Sequence, residues 1–225
     1  MRLRLGMMVL ALLLSGCNAK LKRHVQSIDD LAVKVRHQQV RPEVDLAELD
    51  SGTTEEPGER PNLKQATASV AIDAFEQGFT MRLNSLMNTQ KMAKRIGKTT
   101  RGYFKNGQPF GLNPKSDWAM ELMITEWGVG SGLSGAAQAE MRVFAGLFAP
   151  SGERIWHKTV GCTWDLAPNM RWEMGQVSAN LATLSAMRDD ALRSAYMDLA
   201  AACGRALSNT FHQDVRRAKK KAAKQ

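Results

Sequence analysis

Gly130-Ser131-Gly132-Leu133-Ser134-Gly135 has the G-x-G-x-x-G spacing that lets backbone approach a pyrophosphate, and it follows an apolar run that reads as a strand. A dinucleotide site needs that loop to open a helix within a strand-helix-strand series, so that the helix amino end faces the phosphates. Here the next apolar run, Ala139 to Phe148, reads as another strand, so the spacing predicts a connection between strands. His24, His37, His157 and His212 are scattered, with neither H-E-x-x-H nor Cys/His ligand spacing. The sequence contains no G-x-S-x-G nucleophile elbow, no G-x-x-x-x-G-K-[ST] phosphate loop and no distinct pair of acids for a catalytic dyad. The acids from Glu43 to Glu59 lack the D-x-[DN]-x-[DN]-G order that would ring Ca²⁺ with oxygens, and predict an exposed loop. The expectation is a non-enzymatic chain without metal or cofactor.

Cysteine carries the remaining chemistry. Met1-Arg2-Leu3-Arg4 supplies positive charge, Leu5 to Leu14 an apolar core, and Leu14-Ser15-Gly16 a small-residue approach to Cys17, the layout of an export signal. Leu14-Ser15-Gly16-Cys17 also resembles the bacterial lipobox, which implies cleavage before Cys17 and acylation of its thiol and new amino group. Several acyl chains on one residue hold firmly, since each buried CH₂ contributes about 0.8 kcal/mol. Cys162 and Cys203 are then an even pair in a compartment that permits disulfides. Both point inward, Cys162 by strand parity with Trp156, Val160 and Trp164, and Cys203 by helical spacing with Leu192, Tyr196, Leu199 and Leu207. They form either a bridge or two buried free thiols.

The elements that position these residues belong to one domain of ordinary globular composition: 225 residues, 44% hydrophobic and 6% aromatic, with 31 Lys+Arg against 22 Asp+Glu. The only long apolar run, Leu5 to Gly16, is shorter than the ~20 residues of a spanning helix, which excludes a polytopic membrane protein. Loss of residues 1–16 removes Arg2 and Arg4 and takes the formal charge from +9 to +7. Residues 17–30 read as a lipidated tether, 31–213 as an α+β periplasmic domain and 214–225 as a basic disordered tail. Leu31, Val33 and Val35 predict a half-buried strand. Ala68, Ile72, Phe75, Phe79, Leu83 and Leu86 predict a helix that Asn62 starts and Gly97 stops.

Tyr103 to Phe110 contains Asn106-Gly107 between aromatics and predicts a small hairpin or an ordered loop. Its Tyr103, Phe104 and Phe110 rings either cover the core edge or form an exposed interaction patch. Asp117 to Trp127, Ala139 to Phe148 and Glu153 to Trp164 predict strands, the last two joined through Ala149-Pro150-Ser151-Gly152. Gln176 to Phe211 predicts helix, with a break near Met187 to Asp190. The economical arrangement is a two-layer α+β sandwich: a small mixed or antiparallel sheet with two long helices on one face. The tryptophans, Trp118, Trp127, Trp156, Trp164 and Trp172, then serve core packing.

The lipobox, the strand Asp117-Trp118-Ala119-Met120-Glu121-Leu122, the hairpin carrying Ser151-Gly152-Glu153-Arg154-Ile155-Trp156 and an alanine-rich last helix resemble a broad group of periplasmic lipoproteins. These include the auxiliary lipoproteins of ABC-type transporters and the activator lipoproteins of penicillin-binding proteins. The resemblance spans residues 31–211 and implies a non-catalytic adaptor that grips other envelope proteins. The expected function is a membrane-anchored binding or assembly subunit of an envelope complex. The alternative is a carrier of a small apolar ligand or lipid in a helix-sheet pocket, suggested by the 13 methionines. Asn18 after Cys17 favours the outer membrane under the enterobacterial sorting rule. The tail, Arg216 to Gln225, is suited to anionic lipid or cell-wall polymer, and nucleic acid is not an expected partner of an exported chain.

Overall fold

The computed structural model describes residues 19–46, 63–105, 110–131, 137–166 and 177–224. Six strands form one mixed sheet, β1 (Asp30–Val35), β2 (Glu43–Asp45), β3 (Gly111–Leu112), β4 (Ala119–Ser131), β5 (Ala137–Phe148) and β6 (Arg154–Asp165). A short helix, α1 (residues 19–24), precedes them. Helices α2 (Leu63–Leu86) and α3 (Thr89–Lys105) lie between β2 and β3, and α4 (Val177–Ala186) and α5 (Asp189–Ala222) follow β6.

The antiparallel meander β4-β5-β6 is the frame, closed between β5 and β6 by the turn at Ala149 to Gly152, where only Gly152 takes a positive φ, +81°. Both β1 and β2 pair in parallel with the remaining edge of β4, β1 along Ala119 to Leu122 and β2 along Gly128 to Gly130. Strand β3 adds to the far side of β1. A bulge between Ile124 and Glu126 shifts the phase of β4, so that Met120, Leu122 and Ile124 before it, and Trp127 and Val129 after it, all face the core.

Helices α3 and α5 cover one face of this sheet and run parallel to each other, with Gly204 against Ile96 and Thr99, and Tyr103 beside Asn209. The two-layer α+β arrangement is therefore present, with α2 and α4 packed to the side. Trp156, Tyr196, Phe211, Met120 and Met141 fill the space between helices and sheet. That interface is a packed interior, and the ligand-sized clefts described below lie elsewhere.

Several elements depart from the expectations above. The single helix from Asn62 to Gly97 is two, broken at Met87 and Asn88, where the Asn88 side chain accepts from the Lys91 backbone N–H at 3.2 Å and starts α3. Gly97 stops nothing: an added Cβ there would stand 2.5 Å from Val35 Cγ2, so it lets α3 press onto β1. Residues 19–30 are not a bare tether, because Leu21, Val25 and Ile28 recur at helical spacing and are buried in the core. Within the acidic stretch, Glu43–Asp45 form β2, and Val44 and Leu46 are buried. The basic tail is the helical end of α5, with Val215 and Ala218 buried in continuation of the Leu207 and Phe211 stripe.

Arg82 fastens the helices at the side. From α2 it donates to the Ser185 carbonyl at 2.9 Å, to the Met187 carbonyl, and to Asp189 Oδ1 at 2.7 Å, closing the end of α4 and the start of α5 at once. Arg82→Ala should cost about 1–3 kcal/mol in chemical denaturation. An unchanged midpoint would show the clamp to be idle.

Candidate functional site

The glycine run starts at the end of β4, with Gly130 and Ser131, and β5 follows from Ala137 antiparallel to it; residues 132–136 lie outside the described residues. His24 lies 5.9 Å from the Trp118 ring, His157 faces Phe144 across the outer sheet surface, and His212 sits on α5, so the structure does not bring the histidines together. Partial burial first, then Arg154 and Lys158, hold the His157 pKa below its ordinary value. Among the described residues no three His, Cys, Asp or Glu side chains are grouped to hold a metal ion.

Cys162 of β6 and Cys203 of α5 are joined in a disulfide, with Cα atoms 5.7 Å apart. It ties the edge strand to the helix above it. Trp164 departs from the inward reading at 41% exposure. Cys17 and the leader, residues 1–16, lie outside the described residues, as does Trp172.

Tyr103, Phe104 and Phe110 do not form an exposed patch: Tyr103 and Phe104 belong to the last turn of α3, while the Asn106-Gly107 turn, within residues 106–109, lies outside the described residues. Phe104 and Phe110 are each 4% exposed and meet Phe211, at 5.7 and 6.2 Å between centroids. Tyr103 is half-buried and donates its hydroxyl hydrogen bond to Asn209.

Two clefts flank Trp127, and sequence pattern pointed to neither. One, of about 380 Å³, is lined by Glu43 and Asp45 of β2, Glu126 to Gly130 of β4, and Glu140 to Arg142 of β5. Its carboxylates belong to three strands that only the sheet register brings together. Arg142 pairs with Glu126 at 3.0 Å. Beneath the floor the Tyr196 hydroxyl donates to the Gly128 carbonyl at 2.6 Å, and burial first, then Glu140, push its pKa up, so it stays a neutral donor. The other cleft, of about 420 Å³, is lined by His37 to Val40, Asn84, Met87 to Gln90 and Trp127, whose indole N–H donates to the Val40 carbonyl at 2.8 Å. The first notch suits cationic groups and the second, rich in amides, suits neutral polar ones.

The opposite end of the sheet is basic. Lys20 of α1 holds Glu153 of the β5-β6 turn at 2.7 Å, an ion pair that keeps the Glu153 carboxyl below its ordinary pKa. The last turns of α5 reach the same end, where Asp214 accepts from the Trp156 indole at 3.0 Å and Lys219 lies over the Phe110 ring at 5.1 Å. Basic residues of α1 and the Arg216 to Lys221 run of α5 therefore lie at the same end of the sheet. Counting residues from Tyr196 to Arg217 along α5 separates the acidic and basic ends by roughly 30 Å.

No family model matches the chain, and no curated protein matches it. Among solved structures, a Xanthomonas campestris protein of the DUF330 family aligns over 86% of this chain and 89% of its own, at 9% identity and TM-score 0.37. A minor lipoprotein from Acinetobacter baumannii aligns over 52% of this chain and 85% of its own, at 14% identity and TM-score 0.26. The lipoprotein GNA1162 from Neisseria meningitidis aligns over 70% of this chain and 95% of its own, at 14% identity and TM-score 0.23. Bacterial lipoproteins are thus among the structural neighbours, at a level of likeness that assigns no family or role.

Proposed function

We propose that this chain is an envelope lipoprotein, held to the membrane by acyl groups on Cys17, that acts as a non-catalytic binding or assembly subunit. The partition of its three cysteines carries the reading: Cys162 and Cys203 are paired with each other, as suits an oxidising compartment, and Cys17 follows Leu14-Ser15-Gly16 at the end of an export signal. No described helix is long and apolar enough to cross a membrane, so the acyl anchor would supply the attachment. The acid-lined notch beside Trp127 lies at the end away from residue 19, where its excess of carboxylates over Arg142 suits a basic partner in the envelope. Asn18 directs the lipidated chain to the outer membrane where the sorting rule operates.

Intact mass of the protein extracted from its native membrane, beside a Cys17→Ala variant fractionated in the same way, tests the reading. The wild type should begin at Cys17 with added acyl mass, and the variant should lose its membrane pool. A mature chain that begins elsewhere and carries no lipid would overturn it.

A further inference from the structure

We propose that the end of the domain formed by α1 and the last turns of α5 is a docking surface for an anionic bilayer, so that the domain rests on lipid headgroups. This deepens the anchored reading, on which it rests only for the position of the membrane.

The first argument is reach. The folded part is already present at residue 19, with Leu21 fully buried and Lys20 fixed to Glu153, so only two residue steps separate it from Cys17. Two steps of chain span no more than about 7 Å. An acylated Cys17 therefore brings this end within about one Debye length of the headgroups, about 8 Å at physiological ionic strength. A hanging tether would have let the domain tumble at a distance.

The second argument is charge. Arg23 of α1 and Arg216, Lys220 and Lys221 of α5 are exposed at this end. Its acids are partly engaged: Glu153 pairs with Lys20, Asp214 accepts from Trp156 and lies 3.6 Å from Arg217, and Asp30 accepts from Asn113, while Asp29 and Asp117 are exposed beside the starts of β1 and β4. The acidic notch stands at the other end, so the domain is polarised along α5 with its positive pole toward residue 19. A bilayer carrying negative headgroups attracts that pole and repels the other.

The third argument is order. The cations of α5 are held on a helix whose Val215 and Ala218 lie in the same buried core as Leu21, Val25 and Ile28. Glu153, which Lys20 holds, and Trp156, which donates to Asp214, both stand at the start of β6, so these cations are fixed at the end of the sheet that carries α1, and a surface would meet them without ordering a free tail.

The test uses the full chain carrying Cys17→Ala, so that no acyl group contributes, and vesicles of phosphatidylglycerol with phosphatidylcholine beside pure phosphatidylcholine. The leader, with Arg2 and Arg4, is common to every variant, so the change in the ratio of the two partition coefficients between variants reports the charge of the surface. The ratio should exceed tenfold at low salt and collapse at high salt. At roughly fivefold per surface cation, Arg216→Gln with Lys220→Gln and Lys221→Gln should remove most of it, up to about a hundredfold. Lys91→Gln with Lys94→Gln and Lys98→Gln removes the same charge from the exposed side of α3 and should leave the ratio within a few-fold. Circular dichroism of both triple variants confirms that they fold.

Equal losses in the two variants would mean that net charge alone is read, and the proposal would fall. So it would if the unmodified surface showed no preference for the anionic vesicles. Because acylation is absent from this experiment, its failure leaves the intact-mass result standing, and an unacylated native chain would not erase a measured lipid preference.

Discussion

Cys162→Ser, Cys203→Ser or reduction of the bond between them should destabilise the domain by about 4 kcal/mol, the chain-entropy value for a closed loop of this size. The cysteines are 41 positions apart, and the loop they close contains all of α4 and nearly the first half of α5. Without the bond, β6 is an edge strand held by β5 on one side only, and α5 loses its covalent tie to it. Urea titration of the Cys17→Ala chain with and without reductant is the measurement. With a slope of about 2 kcal/mol/M, the midpoint should move down by about 2 M. Coincident midpoints, with free thiols confirmed by alkylation, would show that packing alone sets the stability of this region. Both sulfurs are shielded, Cys203 fully and Cys162 at 9% exposure, so reduction should be slow until the domain opens.

Gly128→Ala should be the most damaging small substitution in the sheet. A Cβ at this position would lie 1.6 Å from the Glu43 carbonyl oxygen, and the obstacle is backbone, which no rotamer change relieves. Strand β2 must then leave β4, exposing Val44 and Leu46, and the carbonyl that accepts from Tyr196 is displaced. Loss of those two side chains from the core alone is worth about 3–5 kcal/mol. Gly102→Ala is the control: nothing lies within 4 Å of a Cβ there, the site is an exposed helix position, and alanine should stabilise by about 0.5–1 kcal/mol. The pair is read by thermal unfolding. If both substitutions moved the transition the same way, the tight β2-β4 contact would be refuted.

The layers of this domain were legible because their signals are long. Met120, Leu122 and Ile124 alternate, Ala149 to Gly152 spell a turn, and Leu192 to Phe211 repeat at helical spacing. The misread segments are those where a local sign has a second meaning. Gly97 has the sign of a helix stop, yet its lost side chain makes room for Val35. Charge made residues 214–224 look solvated, although Val215 and Ala218 extend the apolar stripe by about two more turns. Strand β2 is three residues long and flanks its one apolar residue with acids, so no period is available to reveal it. Trp127 joins the core only through the bulge before it, and the notch it borders draws carboxylates from three strands, which register alone assembles. Phe104 and Phe110 meet on Phe211, more than a hundred positions along, a contact that no local pattern contains.

The parallel pairing of β1 and β2 with β4 governs the order in which this chain can fold. Ala32 is matched with Ala119 and Val44 with Val129, so each pairing waits for more than eighty residues to follow it. The antiparallel pairs β4-β5 and β5-β6 need far shorter closures and can form as neighbouring hairpins. A chain that emerges from its amino end, from a ribosome or from a translocation pore, therefore presents residues 30–45 as unsatisfied strand long before their template exists. Those two strands close the sheet last, and during that interval the open edge of β4 is the place where a chaperone can hold the molecule or a second copy can mispair with it.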